Sequence, residues 1–258
     1  MAVTPDPSEI YRRAVEEGRR RLDMTVVEQM STGFIAGFTI VFGIVALGIG
    51  EALAEPQFGR EAAKLVGALA FAIGLVFLVV GRTELFTENF FDPVAAAIED
   101  SRDKAWVRLM RLWLTILVLN LVGGALLVAV MTVNGALPAE SESVLIRTAE
   151  EIAAKSWTAT LARAVLAGAL ITLLSYMLEA VNSATARILV AYLVGFFLAL
   201  GPFDHVVVSA LHVLFGIWLS DAVGYGELAA NIGLSAVGNL VGGLLLVTLT
   251  HTAQAKSG

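Results

Sequence analysis

The chain contains one apolar stretch twice. Residues 120–128 read NLVGGALLV, and residues 239–247 read NLVGGLLLV, 119 positions later. A second pair of motifs has almost the same separation, because GRTE at 81–84 and GPFD at 201–204 lie 120 positions apart. In both, a carboxylate follows a glycine by three residues inside an apolar segment. NLVGG alone fits ordinary helix packing through small residues equally well, but two motifs at one offset indicate an internal duplication.

The composition places this duplication in a membrane protein. The 258 residues are 57% hydrophobic and 16% charged, with a mean hydropathy of +0.80, whereas soluble domains are about 45–50% apolar and about 25% charged. The chain has no cysteine, which excludes disulfides and thiolate chemistry. A net charge of −6 provides no basic surface for nucleic acid. We expect neither a metal nor a cofactor.

Six apolar segments are long enough to cross a bilayer, which takes about 20 residues. The second and fifth are too long for one straight crossing and contain polar residues. The six segments are approximately 29–50, 64–98, 112–133, 157–179, 188–220 and 229–250. We therefore predict an all-α transmembrane domain over residues 29–250, with a cytoplasmic N-terminal segment (1–28) and a cytoplasmic tail (251–258).

The positive residues predict the orientation. Lys and Arg concentrate in cytoplasmic loops. With the N-terminus inside and six crossings, eleven of the seventeen lie on the cytoplasmic side, and the loop at 134–155 on the other side is acidic. Residues 5–23 lack the apolar core of a signal peptide and are predicted to form a polar helix capped by Ser8. The expected location is the inner or plasma membrane, with both termini cytoplasmic.

Each half of the duplication contains three crossings, in repeats at about 29–133 and 157–250. Because three is odd, the second half enters the membrane from the opposite side. This is the inverted repeat found in many transporters, where substrate sites lie between the halves. We therefore predict two inverted three-helix repeats.

The polar interruptions fall in the second helix of each half. The first, GRTELFTENFFDP at 81–93, carries Arg82, Glu84 and Glu88, and the second is GPFDH at 201–205. A charge at the bilayer centre costs at least about 2.5–3.5 kcal/mol on insertion scales. Irregular backbone survives there only where it is buried or lines a cavity. Helices 2 and 5 are therefore predicted to be interrupted, with half-helix N-termini that attract anions.

Four buried polar side chains are predicted to support these interruptions. Glu84 and Asp204 are each expected to cap the backbone of the opposite loop, in preference to contacting substrate. Asn120 and Asn239 are interpreted as hydrogen-bonding braces between helices and the broken segments.

Three motifs resemble the formate/nitrite transporter family. They are Glu84-Leu85-Phe86-Thr87, Phe203-Asp204-His205 and GNLVGG at 238–243. The resemblance covers residues 29–250 and implies an aquaporin-like fold assembled as a homopentamer, with one pore per protomer. It also implies a channel or proton-coupled transporter in the lipid bilayer for small monovalent anions such as formate, nitrite or acetate, or for their neutral acids. The long charged N-terminal segment is similar to a poorly characterised branch of the family.

The resemblance also implies the pore residues. His205 matches the central histidine, Phe86 the aromatic constriction with Phe90 beside it, and Leu198 falls near the second constriction. The other residues expected along the pore are Thr87, Phe203 and Ser209, the last standing where an asparagine is usual. An anion would be protonated in a vestibule and cross as a neutral acid, or would pass while His205 carries charge. Both routes avoid an isolated anion in an apolar passage.

The chain departs from the family pattern at several positions. Gly168 stands where a pore-facing asparagine is expected on the fourth span. Arg82 and Glu88 add charges beside a loop that is neutral in typical members. Arg82 is expected to pair with Glu84 or Glu88, because an unpaired buried charge is costly; if it faces the pore, it raises anion affinity. Lys155 is the candidate for the family's vestibule lysine.

Three other interpretations remain open. The same fold could pass small neutral solutes as aquaporin-like pores do, or Arg82 and Glu88 could close it to the usual substrates and leave a scaffold. An intramembrane enzyme using Asp204, His205 and His212 has little support, because the chain lacks an H-E-x-x-H pattern, a cysteine and a serine-centred motif. His212 is interpreted as a packing or wall residue.

Overall fold

A computed structural model describes residues 5–100 and 104–257, and these ranges contain helices and loops but no β-strand. Arg102, one of the positive residues used to predict orientation, lies outside the described residues. The helices of the first half are α1 (Pro7–Asp23), α2 (Val26–Phe58), α3 (Arg60–Val80), α4 (Asp92–Glu99) and α5 (Ala105–Met131). Those of the second half are α6 (Ala139–Ala153), α7 (Trp157–Ala180), α8 (Ala184–Leu200), α9 (Val206–Leu219), α10 (Tyr225–Val241) and α11 (Leu249–Ser257).

Several of these helices are apolar and long enough to cross a membrane. They are α2, α3, α5, α7 and the continuous segment Tyr225–Ser257, in which π-helical residues Gly242–Thr248 join α10 to α11. Helices α8 and α9 are apolar but shorter, and they follow one another in the fifth predicted segment. The protein is therefore a multi-pass helical membrane protein.

One helix precedes the first span of each half: α1 precedes α2, and α6 precedes α7. Helix α1 is capped by Asp6, whose side chain accepts a hydrogen bond from the Glu9 N–H at 2.9 Å, and Pro7 occupies the first turn, where no N–H is needed. The prediction of Ser8 as the cap is wrong, because its hydroxyl donates to Asp6 instead, at 2.7 Å. Helix α6 lies within the acidic segment predicted only as a loop.

Helical structure is interrupted twice inside the apolar segments. After α3 the chain passes through Arg82 in a left-handed conformation (φ 53°) and an extended Leu85, then forms a 3-10 turn at Phe86–Phe90 before α4. After α8, residues 201–205 are non-helical, and α9 begins at Val206. Pro202 has no backbone N–H, which favours the second interruption.

The helices pack closely where glycine removes the side chain. A Cβ atom on Gly37 of α2 would lie 1.9 Å from the carbonyl oxygen of Asn120 on α5. A Cβ atom on Gly168 of α7 would lie 2.1 Å from the carbonyl oxygen of Asn239 on α10. At both contacts the backbones of the two helices touch, because the glycine has no side chain to separate them. Each asparagine therefore lies at a close helix–helix contact.

Candidate functional site

A cavity of about 450 Å³ opens beside the second interruption. We call it the Lys155 cavity. Its wall combines charged groups from α2, α3, α6, α7 and the two loops that contain Lys155 and Asp204 with apolar residues of α2, α3 and α8. The lining includes Phe71, Lys155, Leu198, Phe203, Asp204, His205, Ser209 and His212.

A second cavity, of about 620 Å³, opens beside the first interruption. We call it the Arg21 cavity. It is lined by α1, by the start of the first broken segment and by the turn between α7 and α8. Its charged residues are Arg13, Glu17, Arg20, Arg21, Arg82, Glu84, Glu88, Glu179 and Arg187.

One hydrogen bond joins the two broken segments between these cavities. The hydroxyl of Thr87 lies 2.6 Å from Nε2 of His205, although the residues are 118 positions apart. Thr87 is fully buried and His205 is 1% exposed. Glu88 lines the Arg21 cavity and His205 the Lys155 cavity, so this bond lies where the two cavities approach each other.

The hydrogen bonds of His205 favour one neutral tautomer. Nδ1 accepts a hydrogen bond from the backbone N–H of Val208 at 3.3 Å, which makes His205 the N-cap of α9. An accepting nitrogen carries no proton, so the proton of the neutral ring belongs on Nε2, where it is donated to Thr87. A second proton would place donor against donor and a cation at the positive end of a helix. His205 is therefore held neutral.

Aromatic and aliphatic side chains lie on both sides of this contact. Phe86 and Phe90 pack edge to face with ring centroids 4.8 Å apart, and Trp113 lies against both, 5.4 Å from Phe90. On the other side, Leu198 and Phe203 line the Lys155 cavity. The ring nitrogen of Trp113 donates to the Asn89 carbonyl at 2.8 Å, which fixes the indole and the Phe90 face that rests on it.

The two loop carboxylates each bind a cation from the segment before a first span. Glu84 pairs with Arg20 at 3.1 Å and with Arg21 at 3.3 Å. Asp204 pairs with Lys155. The expectation that each carboxylate caps the opposite loop is wrong, because both instead pair with cations, which supply the opposite charge that a buried carboxylate needs.

Arg21 is the most heavily bonded cation of the site. It also contacts Asp92 at 3.4 Å and donates to the Glu88 carbonyl at 3.0 Å. Burial would lower the pKa of Arg21, but the charges of Glu84 and Asp92 outweigh burial and raise it above its usual range. Burial lowers the pKa of Lys155, although Asp204 opposes the shift. The two cations therefore differ in how firmly they hold their protons.

Arg82 does not make the ion pair expected of it. It is exposed, lines the Arg21 cavity, and has no salt bridge with a carboxylate in residues 5–100 or 104–257. Glu84 is taken by α1, and Glu88 accepts the backbone N–H of Leu85 at 3.1 Å. Both neighbouring glutamates are thus engaged elsewhere, and Arg82 is free to face the cavity.

Asn120 and Asn239 make matching sets of three backbone hydrogen bonds. Asn120 accepts from the Phe86 N–H at 2.9 Å and donates to the carbonyls of Gly33 and Glu84 at 2.8 and 3.0 Å. Asn239 accepts from the Val206 N–H at 2.9 Å and donates to the carbonyls of Ala164 and Asp204 at 2.8 and 3.0 Å. Each amide therefore joins a first span to a broken segment.

Gly168 does not face either cavity. Its missing Cβ is what lets α7 approach Asn239, so an asparagine there would collide with α10. One turn later, Thr172 is one of the buried polar residues of α7, and its hydroxyl lies beside Phe90 and Gly243.

Sequence reasoning missed several residues at this site. Phe71, 1% exposed, lines the Lys155 cavity from α3, but a phenylalanine within an apolar helix carries no signal of its own. Arg20 and Arg21 lie within an arginine-rich run in the N-terminal segment, and only tertiary packing brings them to Glu84. His212 is not one of these, because the sequence already indicates a packing or wall residue there; it lies on the cavity wall with a buried Nδ1 that has no hydrogen-bond partner in the described part of the chain.

Two charged cavities beside interrupted helical segments in a multi-pass membrane protein are typical of channels and transporters. The chain belongs to the formate/nitrite transporter family, because that family's sequence profile, described as Formate/nitrite transporter, matches residues 8–253. This is a class of channels and transporters, not of enzymes.

Individual relatives agree with this assignment. The chain is 22% identical to the inner membrane protein YfdC of Escherichia coli over 96% of its own length and 78% of that protein. It is 29% identical to the formate channel FocA of Escherichia coli over 73% of each chain. Its fold is similar to a solved FNT family ion channel, with a TM-score of 0.80, 19% identity and coverage of 95% and 98%. A structure described as a pentameric formate channel with formate bound gives a TM-score of 0.73 at 19% identity, with coverage of 89% and 97%.

Proposed function

We propose that the protein is a channel or proton-coupled transporter for small monovalent anions of the formate, nitrite and acetate type. The observation that carries the proposal is the Thr87–His205 contact, which separates two cavities that each contain a cation paired to a loop carboxylate. Each cavity can attract an anion, and the buried rings between them resist its charge. The solute therefore crosses the constriction as a neutral acid.

The proposed roles of the site residues follow from their positions. Phe86 and Phe90 form the constriction on one side of His205, and Leu198 and Phe203 form it on the other, with Thr87 and Ser209 as hydroxyl contacts. His205 offers a neutral N–H rather than a charge. The supporting and charged residues are Glu84, Asp204, Asn120 and Asn239, which hold the interruptions, and Arg82, Glu88 and Lys155, which set the charge at the two mouths.

We also propose six crossings arranged as two inverted repeats, with helices 2 and 5 interrupted, in an aquaporin-like fold. The matching bonds of Asn120 and Asn239 support this. The correspondence between the two halves extends to the starts of their first spans. Thr25 is the N-cap of α2 and Ser156 the N-cap of α7, 131 positions apart. Helices α1 and α6 precede these caps and pack on α4 and α9, respectively. The domain division at residues 28 and 250 is proposed on the same basis.

The assembly and location are part of this proposal. The relative whose structure is described as a pentameric formate channel supports a homopentamer, with one pore in each protomer. The positive residues support an inner or plasma membrane location with both termini in the cytoplasm.

Uptake by reconstituted liposomes tests the function. Wild-type protein should admit formate, nitrite or acetate faster than protein-free liposomes, faster at pH 5 than at pH 7, and should exclude glycerol. His205→Asn should reduce uptake, because the shorter amide cannot bond Thr87 and Val208 together; His251→Asn, on α11, is the matched control. Glycerol uptake that ignores pH would favour a neutral-solute pore, and no uptake of any solute would favour a pore closed at Arg82 and Glu88. Equal anion uptake by His205→Asn and wild type would remove His205 from the mechanism.

A further inference from the structure

His212 lines the Lys155 cavity, where an anion gains a proton in the proposed function, and one of its ring nitrogens has no hydrogen-bond partner among the described residues. It is the seventh residue of α9, 4% exposed, and lines the Lys155 cavity. Nδ1 is buried and has no hydrogen-bond partner among residues 5–100 and 104–257. A buried ring nitrogen without a partner costs free energy unless a ligand or solvent uses it.

The spacing along α9 points this ring into the same cavity as the central histidine. His205, Ser209 and His212 recur at intervals of four and three residues, which places them along one face of the helix. Ser209 itself is occupied, because its hydroxyl donates to the His205 carbonyl at 2.7 Å. Of the three side chains, His212 is the one left with an unpaired polar atom.

The two histidines differ in their capacity to exchange a proton. Both nitrogens of His205 are already bonded, to Val208 and to Thr87, and its position at the start of α9 disfavours a positive charge. His212 lies two turns into the helix, away from that end. A proton can therefore be added to Nδ1 of His212 without breaking a hydrogen bond.

We infer that His212 is the proton donor of the Lys155 cavity, which binds a small monocarboxylate or similar weak-acid anion and converts it to the neutral acid. This rests on the proposed function. One N–H bond of the imidazolium breaks and leaves its electron pair on the ring nitrogen that faces the anion, and an O–H bond forms on the anion. The ring then regains a proton from the aqueous solution on that side.

The charged surroundings couple this step to the anion. The elements packed on α9 are α2, α5, α6 and α10; of these, α2 contributes Glu51 to the cavity wall, α6 contributes Arg147 and Glu151, and α5 and α10 contribute no charge to it. The other charged groups of the wall are Lys64, Lys155, Arg163 and Asp204. Lys155 opposes a second cation on His212 until an anion enters between them. Protonation of His212 is thus favoured when substrate is present.

The test compares formate uptake by liposomes containing wild type, His212→Gln or His251→Gln from pH 5 to pH 8. Glutamine keeps the size and polarity of the ring but cannot donate a proton. We expect His212→Gln to lose on the order of 100-fold at pH 7, as for a positioned general acid, and much less at pH 5, where the solution supplies neutral acid. His251→Gln should follow wild type. A wild type that transports and a His212→Gln variant with an unchanged pH profile overturn this inference alone, whereas an inactive wild type overturns the proposed function.

A second measurement needs no active variant. The chain has three histidines, so ¹⁵N-histidine NMR of the wild-type protein in nanodiscs can resolve each ring, with His205→Asn and His251→Gln assigning two rings and leaving His212 by elimination. On addition of formate at pH 6, the His212 resonances should move toward the imidazolium position, while His205 keeps its proton on Nε2. A His212 signal that ignores formate, or a His205 signal that becomes imidazolium, contradicts the inference even if His212→Gln fails to fold.

Discussion

Single side chains replace the backbone bonds that the interrupted helices lose. Asn120 and Asn239 each satisfy one N–H and two carbonyl groups with one amide. Each buried backbone group left unpaired costs about 1–3 kcal/mol, and no water replaces the partner in a membrane interior. Both interruptions therefore require an asparagine at this position. This requirement accounts for the asparagine that begins both copies of the NLVGG stretch.

Gly168 provides a residue-scale prediction. Gly168→Ala would place a methyl group 2.1 Å from the Asn239 carbonyl oxygen, and such overpacking costs about 1–3 kcal/mol. The matched control is Gly233→Ala on α10, which has nothing within 4 Å of the new Cβ and gains about 1 kcal/mol of helix propensity. Thermal unfolding in detergent should show a lower Tm for Gly168→Ala and an equal or higher Tm for Gly233→Ala. Equal Tm values for the two variants would contradict the close α7–α10 contact.

The positions of the site residues were predictable from the sequence, but their partners were not. The motifs around Glu84 and Asp204 located both interruptions because a carboxylate is expensive inside an apolar segment. The ion pairs depend on which surface helix reaches the break. Arg82 is two residues from Glu84, yet Arg20 and Arg21, more than sixty residues away in the chain, bind that carboxylate. Proximity in the sequence predicted the wrong partner for Glu84, because Arg82 lies in a left-handed turn and its side chain does not pair with this carboxylate.

At the scale of elements, α1 is held against the membrane domain by charge and by close packing. A Cβ atom on Gly18 would lie 1.9 Å from the carbonyl oxygen of Asp92 at the start of α4. Tyr11 donates to Glu99 at 3.1 Å, and burial together with that carboxylate raises its pKa to about 12. Helix α1 is thus an integral part of the Arg21 cavity, not a mobile extension of it.

Acid should weaken the docking of α1. Burial opposes ionisation of Glu17, but Arg20 and Arg21 outweigh it and lower the pKa from 4.5 to about 2. Because the folded pKa is depressed, the stabilisation is complete above the usual value of 4.5 and is lost as the pH falls toward 2. Spin labels at Arg19→Cys and Gln254→Cys should show a longer, broader distance between α1 and α11 as the pH falls through this window.

A matched pair of variants isolates the contribution of Glu17. Glu17→Gln should loosen α1 already at neutral pH, with little further change in this window. Glu16→Gln, whose carboxylate pairs only with the exposed Arg12 among the described residues, should behave as wild type. An α1–α11 distance that is constant between pH 6 and pH 2 in the wild type would contradict this account of docking.

Helix α6 was not predicted from the sequence. Its buried residues are Ser141, Val144, Leu145 and Ala149, a helical spacing on a segment otherwise dominated by glutamate. The pattern is short and includes one serine, so acidity was the stronger signal and favoured a loop. The π-helical stretch Gly242–Thr248 was also not predicted. It lets the Thr248 hydroxyl reach the Phe90 carbonyl at 2.7 Å, a tertiary demand that no local periodicity encodes.

At the scale of the whole molecule, the duplication and the orientation make one joint prediction. An odd number of crossings in each half places α1 and α11 on one side of the membrane and α6 on the other. The chain contains no cysteine, so single cysteines report position without further substitution. Arg19 on α1 and Gln254 on α11 are exposed, and Glu142 on α6 is half-exposed.

Labelling with a membrane-impermeant maleimide distinguishes the possible topologies. In intact cells or right-side-out vesicles, Glu142→Cys should react, whereas Arg19→Cys and Gln254→Cys should react only after the membrane is permeabilised, because positive segments stay in the cytoplasm. If all three react from the same side, each half crosses an even number of times and the halves are not inverted. If the pattern is reversed, the halves are inverted but the positive residues did not set the orientation. If Arg19→Cys and Gln254→Cys react from opposite sides, the total number of crossings is odd. The fifth segment would then be the one that does not cross, because α8 and α9 are each shorter than a full span.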